Sequence, residues 1–249
     1  MTGRWGGRAV QLGFLIALLL AWQVATTVFH VTPILLPKPA AVAVRIAALI
    51  GSLEFVDPLL ITLSEVATAF ALAALAGLLT GFLVTRSTRG IAVLEPLLTS
   101  INSIPAILFF PLFTLFFGLG PGSKIALGVT ISFFPIALGT ITGFAGVEQV
   151  LLTSARSMGA SRWHLFRYVL LPSAFPIVLA GLRMGLVLAF LAVLGGETIA
   201  SFDGLGHQIA DAADSMEAAS MYAFIVIVVM VAAGLNMLAA RLDRFGRRP

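Results

Sequence analysis

Five stretches of this sequence contain no Asp, Glu, Lys or Arg: Ala9–Pro37, Val66–Thr85, Pro96–Ser123, Ile125–Val147 and Ala218–Ala240. A helix needs about 20 apolar residues to cross the hydrocarbon core of a bilayer. A sixth stretch, Ser173–Ala200, is equally apolar but carries Arg183 and Glu197. The expected fold is an all-α integral membrane protein with about six transmembrane helices, near 9–31, 58–85, 92–117, 124–146, 174–200 and 219–240. These form a single membrane domain over 1–249. Strands are disfavoured because the runs are continuous, whereas a barrel alternates over segments of about 10 residues. The composition agrees: 10% of residues are charged, against about 25% in soluble domains. The first run is longer than a signal-peptide core and no small-residue cleavage site follows it, so it is expected to be retained.

Basic residues orient the spans, because cytoplasmic loops collect Lys and Arg. With both termini inside, the inner segments hold Arg4, Arg8, Arg86, Arg89, Arg156, Arg162, Arg167, Arg241, Arg244, Arg247 and Arg248, eleven of the fifteen basic residues. The outer segments hold Lys38, Arg45 and Lys124, together with Glu54, Asp57, Asp203, Asp211, Asp214 and Glu217. The net charge of +4 is therefore a topological signal and a possible phospholipid contact, not a sign of nucleic-acid binding.

Pro33, Pro37 and Pro39 break the chain after the first span, and Ala40–Leu53 then has helical periodicity suited to the outer interface. Gly118-Leu119-Gly120-Pro121-Gly122-Ser123 reads as a tight outer turn. It is like a phosphate loop only superficially, since the order is Gly-Ser-Lys and no strand precedes it. The longest inner loop, Glu148–Pro172, far exceeds the roughly 2–8 residues of a simple helix connection. Val150–Met158 reads as one amphipathic helix. Gly159 stops it, and Ser161 caps a second short helix through Tyr168.

This loop resembles the cytoplasmic coupling loop of ABC-importer permeases. That family's pattern is Glu-Ala-Ala, three residues, Gly, nine residues, then Ile-x-Leu-Pro. Here Thr153-Ser154-Ala155, Gly159 and Val169-Leu170-Leu171-Pro172 stand at that spacing, with Thr153 and Ser154 departing from the family residues. Leu36-Pro37-Lys38-Pro39, Ile104-Pro105, Pro111-Leu112-Phe113, Phe117-Gly118-Leu119-Gly120, Phe133-Phe134-Pro135-Ile136, Gly181-Leu182-Arg183, Gly196-Glu197 and Gly204-Leu205-Gly206 resemble the nitrate, sulfonate and taurine branch. The resemblance implies the type I importer permease fold, with a coupling-helix hairpin in the bacterial cytoplasmic (inner) membrane. It implies a non-catalytic subunit in a homodimer, two cytoplasmic ATPase subunits that hold the ATP and Mg, and an extracytoplasmic binding protein that delivers a small anion or related organic solute. The chain itself is expected to hold no cofactor. The implied coupling residues are Thr153, Ser154, Ala155, Arg156, Met158, Gly159, Ala160, Ser161, Trp163, Leu171 and Pro172. Gly159 is the expected elbow, where a side chain would clash or prefer another backbone conformation. Pro172 is expected to start the fifth span.

The translocation path is expected where prolines interrupt spans: Pro105 and Pro111 in the third, Pro135 in the fourth. Asn102 and Ser103 offer polar atoms at that break. Phe109, Phe110, Phe113, Phe116, Phe133 and Phe134 suit an aromatic gate, although such stripes are more often packing residues. Glu65, Arg183 and Glu197 lie within spans, each either paired or lining the path, and the two glutamates are near enough to a span end for water to reach them. His30, His164 and His207 lie in different segments without metal-ligand spacing, so no metal site is expected. Two other classes compete. An intramembrane enzyme would need a nucleophile beside a base, and Ser123 and His207 in outer loops do not supply one. A gradient-driven secondary transporter would show internal repeats and midplane carboxylates, and would leave the inner loop unexplained.

Overall fold

A computed structural model describes residues 3–28 and 31–246. His30, the end of the expected first span at Phe29–His30, and the inner-side Arg247 and Arg248 lie outside the described residues. The chain forms α1 (Gly3–Val28), α2 (Pro39–Ser52), α3 (Val56–Val84), α4 (Thr88–Asn102), α5 (Phe110–Phe117), α6 (Pro121–Ala145), α7 (Gln149–Ser157), α8 (Arg162–Leu165), α9 (Leu171–Ile199), α10 (Leu205–Asp214) and α11 (Ala218–Gly246). Among the described residues, Val56–Val84, Pro121–Ala145, Arg162–Ile199 and Ala218–Arg241 are each long and apolar enough to cross a membrane. α4 and Ala106–Phe117 make a fifth span if counted together. The expected first span, 9–31, falls on α1, a helix of 26 residues whose apolar part, Ile16–Val28, is shorter than those spans among the described residues.

The centre of the fold is α6, packed between α3 and α9. Lipid tails are as apolar as leucine, so spans associate through close packing, and small residues let backbones approach. A Cβ placed on Gly81 would lie 2.5 Å from Thr140 Cβ, and one on Gly185 would lie 2.5 Å from Ile136 Cγ1. Gly139 and Gly181 face each other across the α6–α9 seam. Pro135 does not interrupt α6, which runs through it. The neighbouring helix covers this point, with Gly181 against the Pro135 carbonyl.

The third span is not the continuous helix expected over 92–117. α4 stops at Asn102, a single 3₁₀ turn covers Ala106–Phe109, and the two halves are bent by 74°. Pro105 lacks the N–H that would continue the ladder and pushes Ile104 out of the helical region. The last turn tightens instead, with Ser103 N bonded to Ser100 O and Ile104 N to Ile101 O. Pro111 costs nothing, because it falls in the first turn of α5.

The fifth span departs in the opposite sense. Pro172 stands in the first turn of α9, yet that turn is not a free start: the helical chain runs without a break from Arg162 to Ile199. Residues Phe166–Leu170 form a π-turn, and Leu171 N donates to Phe166 O. A proline inside a regular helix clashes with the carbonyl four residues before it. The wider turn ahead of Pro172 removes that conflict and joins the short helix after Gly159 to the span as one rod.

Candidate functional site

One end of the bundle holds a buried polar cluster drawn from α3, α6, α9 and α10. Glu197, in the last turn of α9, is 1% exposed. The Thr62 hydroxyl donates to its carboxylate at 2.7 Å, and Gly206 N–H donates to Oε2 at 2.8 Å. Thr62 Oγ1 in turn accepts Leu205 N–H at 2.9 Å. The carboxylate therefore sits on the first turn of α10, where free N–H groups and the helix dipole favour negative charge. Gly204, at φ +103°, closes over it, and a Cβ there would fall 2.3 Å from Glu197 Cδ. Beside it, Lys124 is 2% exposed and pairs with the equally buried Glu65, Nζ to Oε1 at 3.3 Å. Lys124 also donates to Ser201 Oγ at 2.6 Å. Glu65 and Glu197 are buried against polar partners rather than open to water, and Lys124, read as an outer-segment cation, is buried as well. It lies in the first turn of α6, its stem against Gly196.

The break in the third span opens a cavity of about 310 Å³ lined by Asn102, Ile104, Pro105, Ile107, Phe134 and Leu188, among others. It brings Asn102, Pro105 and Phe134 together, with Ser103 exposed nearby in the chain. Phe133 packs edge-on against Phe134, with ring centroids 5.2 Å apart. Phe109 is exposed and Phe113 is half-buried. Phe110 lies elsewhere, in a core cluster with Leu127 and Ala192. Arg183 joins neither group: its Nε and Nη2 both donate to Asn236 Oδ1 on α11, at 3.2 and 2.7 Å.

The opposite end of the bundle carries the hairpin. α7 buries Leu152 and Ala155 against Leu165, Ala174 and Val178. Gly159 has φ +80°, Gly159 N bonds to Arg156 O, and Ala160 N bonds to Ala155 O, the paired bonds of a glycine-terminated helix. Nothing lies within 4 Å of a Cβ placed there, so the backbone, not a clash, demands glycine. Ser161 Oγ accepts His164 N–H at 3.3 Å as the cap of α8. Thr153, Ser154, Arg156, Met158, Ser161, Trp163 and Pro172 are exposed, while Ala160 and Leu171 are half-buried. Phe166 ties the hairpin to the spans: its ring lies 5.7 Å from Phe82 and 6.4 Å from Phe144. Arg86 sits over Phe82 at 5.1 Å. The Ser161–His164 contact is a helix cap rather than a catalytic pair, and no group of three His, Asp or Glu comes together among the described residues.

Thr62, Ser201 and Asn236 were missed in the sequence, being ordinary polar residues without motif or charge. Gly196-Glu197 and Gly204-Leu205-Gly206 were visible as separate patterns. The hint that they belong together was the pair of glycines bracketing Leu205, which leaves room for the carboxylate.

Residues 73–248 match the family described as binding-protein-dependent transport system inner membrane component. The taurine transport system permease protein TauC of Escherichia coli (strain K12) is 30% identical, over 94% of this chain and 88% of that protein. The putative aliphatic sulfonates transport permease protein SsuC of Bacillus subtilis (strain 168) is 34% identical, over 84% of this chain and 76% of that protein. An inward-facing structure of the MetNI methionine ABC transporter shares the fold, with a TM-score of 0.65, 20% identity, and coverage of 76% of this chain and 94% of that one. This chain thus belongs to the binding-protein-dependent inner-membrane transport family, as the multi-pass, non-catalytic permease subunit of an ABC importer.

Proposed function

We propose that two copies of this chain form the translocation path for a small sulfonate-, nitrate- or taurine-like anion, or a related small organic molecule, with both termini cytoplasmic. An extracytoplasmic binding protein delivers the solute, and each hairpin docks on one of two ATPase subunits that hold ATP and Mg. The observation that carries the mechanism is the construction of the hairpin. Its tip exposes Met158 (81%), Trp163 (66%) and Tyr168 (70%), while Leu165 and Phe166 anchor it to the spans. Aromatic and methionine side chains are what a docking surface uses. Closure of the ATPase pair would move the hairpin, and the unbroken Arg162–Ile199 helix would carry that motion into the membrane. Two sites that bias one two-state element in this way are coupled. Thr153, Ser154, Ala155, Arg156, Gly159, Ala160, Ser161, Leu171 and Pro172 shape or present this surface. The cavity at Asn102, Pro105 and Phe134 lies on the path, with Ser103 and Phe109 adjacent in the chain, Phe133 packed on Phe134 and Phe113 on the neighbouring Phe110 cluster. The names of the taurine and aliphatic sulfonate relatives support the anion.

The test is uptake by proteoliposomes holding the permease, its ATPase and its binding protein. Taurine or an alkanesulfonate should accumulate only with ATP inside and loaded binding protein outside. Uptake of a pyrimidine in place of sulfonates would replace the substrate. Uptake driven by a proton gradient without the binding protein would replace the mechanism.

A further inference from the structure

We infer that Arg183 and Asn236 together form an oxyanion-binding position between α9 and α11. The physiological identity of the ion rests on the substrate reading above, whereas the position itself does not. Both residues lie inside helices that cross the membrane. Twelve residues of α9 precede Arg183 and sixteen follow it, placing it roughly 18 and 24 Å from the two ends at about 1.5 Å per residue. Nε and Nη2 of Arg183 share a single acceptor, Asn236 Oδ1. Neither Nη1 of Arg183 nor the amide nitrogen of Asn236 makes a hydrogen bond among the described residues, and no carboxylate pairs with Arg183 among them. Among the described side chains, Glu197 is committed to Thr62 and Gly206, and Glu65 to Lys124.

The pair therefore offers positive charge and free donors, and its one side-chain acceptor is already used twice. That inventory fits a group made only of acceptors with negative charge, such as a sulfonate or a phosphate. A planar guanidinium suits such groups because it presents parallel N–H bonds to two oxygens. Arg183 is half-buried and Asn236 exposed, so the donors face the outside of the single chain rather than its core. A guanidinium facing plain hydrocarbon is costly, and such residues meet a wet cavity or a polar partner. Two sources supply the same chemistry there, a transported anion or a phospholipid phosphate.

The chain lacks cysteine, which allows a direct test in the full complex with its ATPase, held in nanodiscs. Ala233 is exposed on α11, about one turn before Asn236. The thiol of Ala233→Cys is reacted with a sulfonate-bearing and with a trimethylammonium-bearing methanethiosulfonate. The ratio of the two rates should favour the sulfonate reagent and fall about tenfold on adding Arg183→Gln, as expected for removing a charge a few ångströms away. Arg183→Lys should keep most of the preference, showing that charge rather than the interhelical tie is being read. Protection by ethanesulfonate in pure phosphatidylcholine discs identifies a transported anion. Protection only when phosphatidylglycerol is added identifies the phosphate of a net-anionic lipid, whose headgroup, unlike that of phosphatidylcholine, carries no cation of its own. Three results overturn the proposal: no reaction with either reagent, a ratio unchanged by Arg183→Gln, or a changed ratio that neither anion affects. If sulfonate uptake fails while the protected ratio persists, the substrate reading falls and the oxyanion position stands.

Discussion

The carboxylate of Glu197 accepts the Gly206 N–H at 2.8 Å, across nine residues of chain, and so caps α10 from the end of the preceding span. Thr62 on α3 completes the arrangement by donating to the carboxylate and accepting from Leu205. Three helices are thereby joined through one buried carboxyl group. Glu197→Ala would leave the Thr62 hydroxyl and the Gly206 N–H unpaired in the interior. Each such group costs about 1–3 kcal/mol. A lower unfolding temperature in detergent is expected, with Thr62→Val giving a smaller drop. Wild-type stability in both variants would mean that water replaces the carboxylate.

Gly204→Ala should be more severe than its size suggests. The added methyl would overlap the Glu197 carboxyl at 2.3 Å, and φ +103° disfavours any side chain. Loss of folded protein on fluorescence-detected size exclusion is expected, with partial rescue by Glu197→Ala, which clears the space. Absence of that rescue would argue that the backbone conformation alone excludes alanine.

The Lys124–Glu65 pair tests the opposite case, a buried carboxylate, Glu65, whose one partner among the described residues is another charge. Removing one partner of a buried pair costs about 3–5 kcal/mol, whereas replacing both by apolar residues is often neutral. Lys124→Met should therefore destabilise strongly, and Lys124→Met with Glu65→Met should recover much of the loss. A double variant no better than the single one would show that the pair does not act as a unit.

Gly159→Val should insert and assemble normally, because nothing lies within 4 Å of the new side chain. The left-handed backbone still costs roughly 1–2 kcal/mol for an L-residue, and more for a β-branched one, which is enough to redirect the exposed hairpin. The expected result is normal membrane abundance with weakened copurification of the ATPase and reduced uptake. Full coupling in this variant would make the hairpin a mere surface feature.

Phe166→Ala separates docking from transmission. The ring bridges Phe82 and Phe144, while the exposed tip residues Met158 and Trp163 are untouched. The ATPase should still copurify, but stimulation of its turnover by loaded binding protein should drop several-fold, since one end of the connection has lost its packing. Equal losses of copurification and stimulation would place Phe166 in the docking surface instead.

The helical class of the fold was legible because backbone in lipid has no water to satisfy it, so a long apolar run implies a helix. Gly159 and Ser161 were legible as a stop and a cap because both act through local backbone bonds. The proline at 105 signalled a weak point, yet the 74° break depends on how α4 and α5 each settle against α6. Pro135 shows the converse: a similar signal inside a span that stays whole under the packing of α9.

By itself, then, the sequence determined what is local or periodic: the membrane class, most helix positions and the two-helix form of the inner loop. Tertiary structure decided which polar groups share an environment. Lys124 read as an outer cation at the start of the fourth span, next to a glycine and proline turn, yet the partner that makes its burial tolerable, Glu65, is fifty-nine positions earlier. Thr62 had no distinguishing feature until Glu197, 135 positions away, was brought to 2.7 Å. Arg183 was visible as a charge in a span, but only the approach of α11 showed that it meets an amide and not a carboxylate. Such pairings follow from helix packing, and no spacing along the chain encodes them.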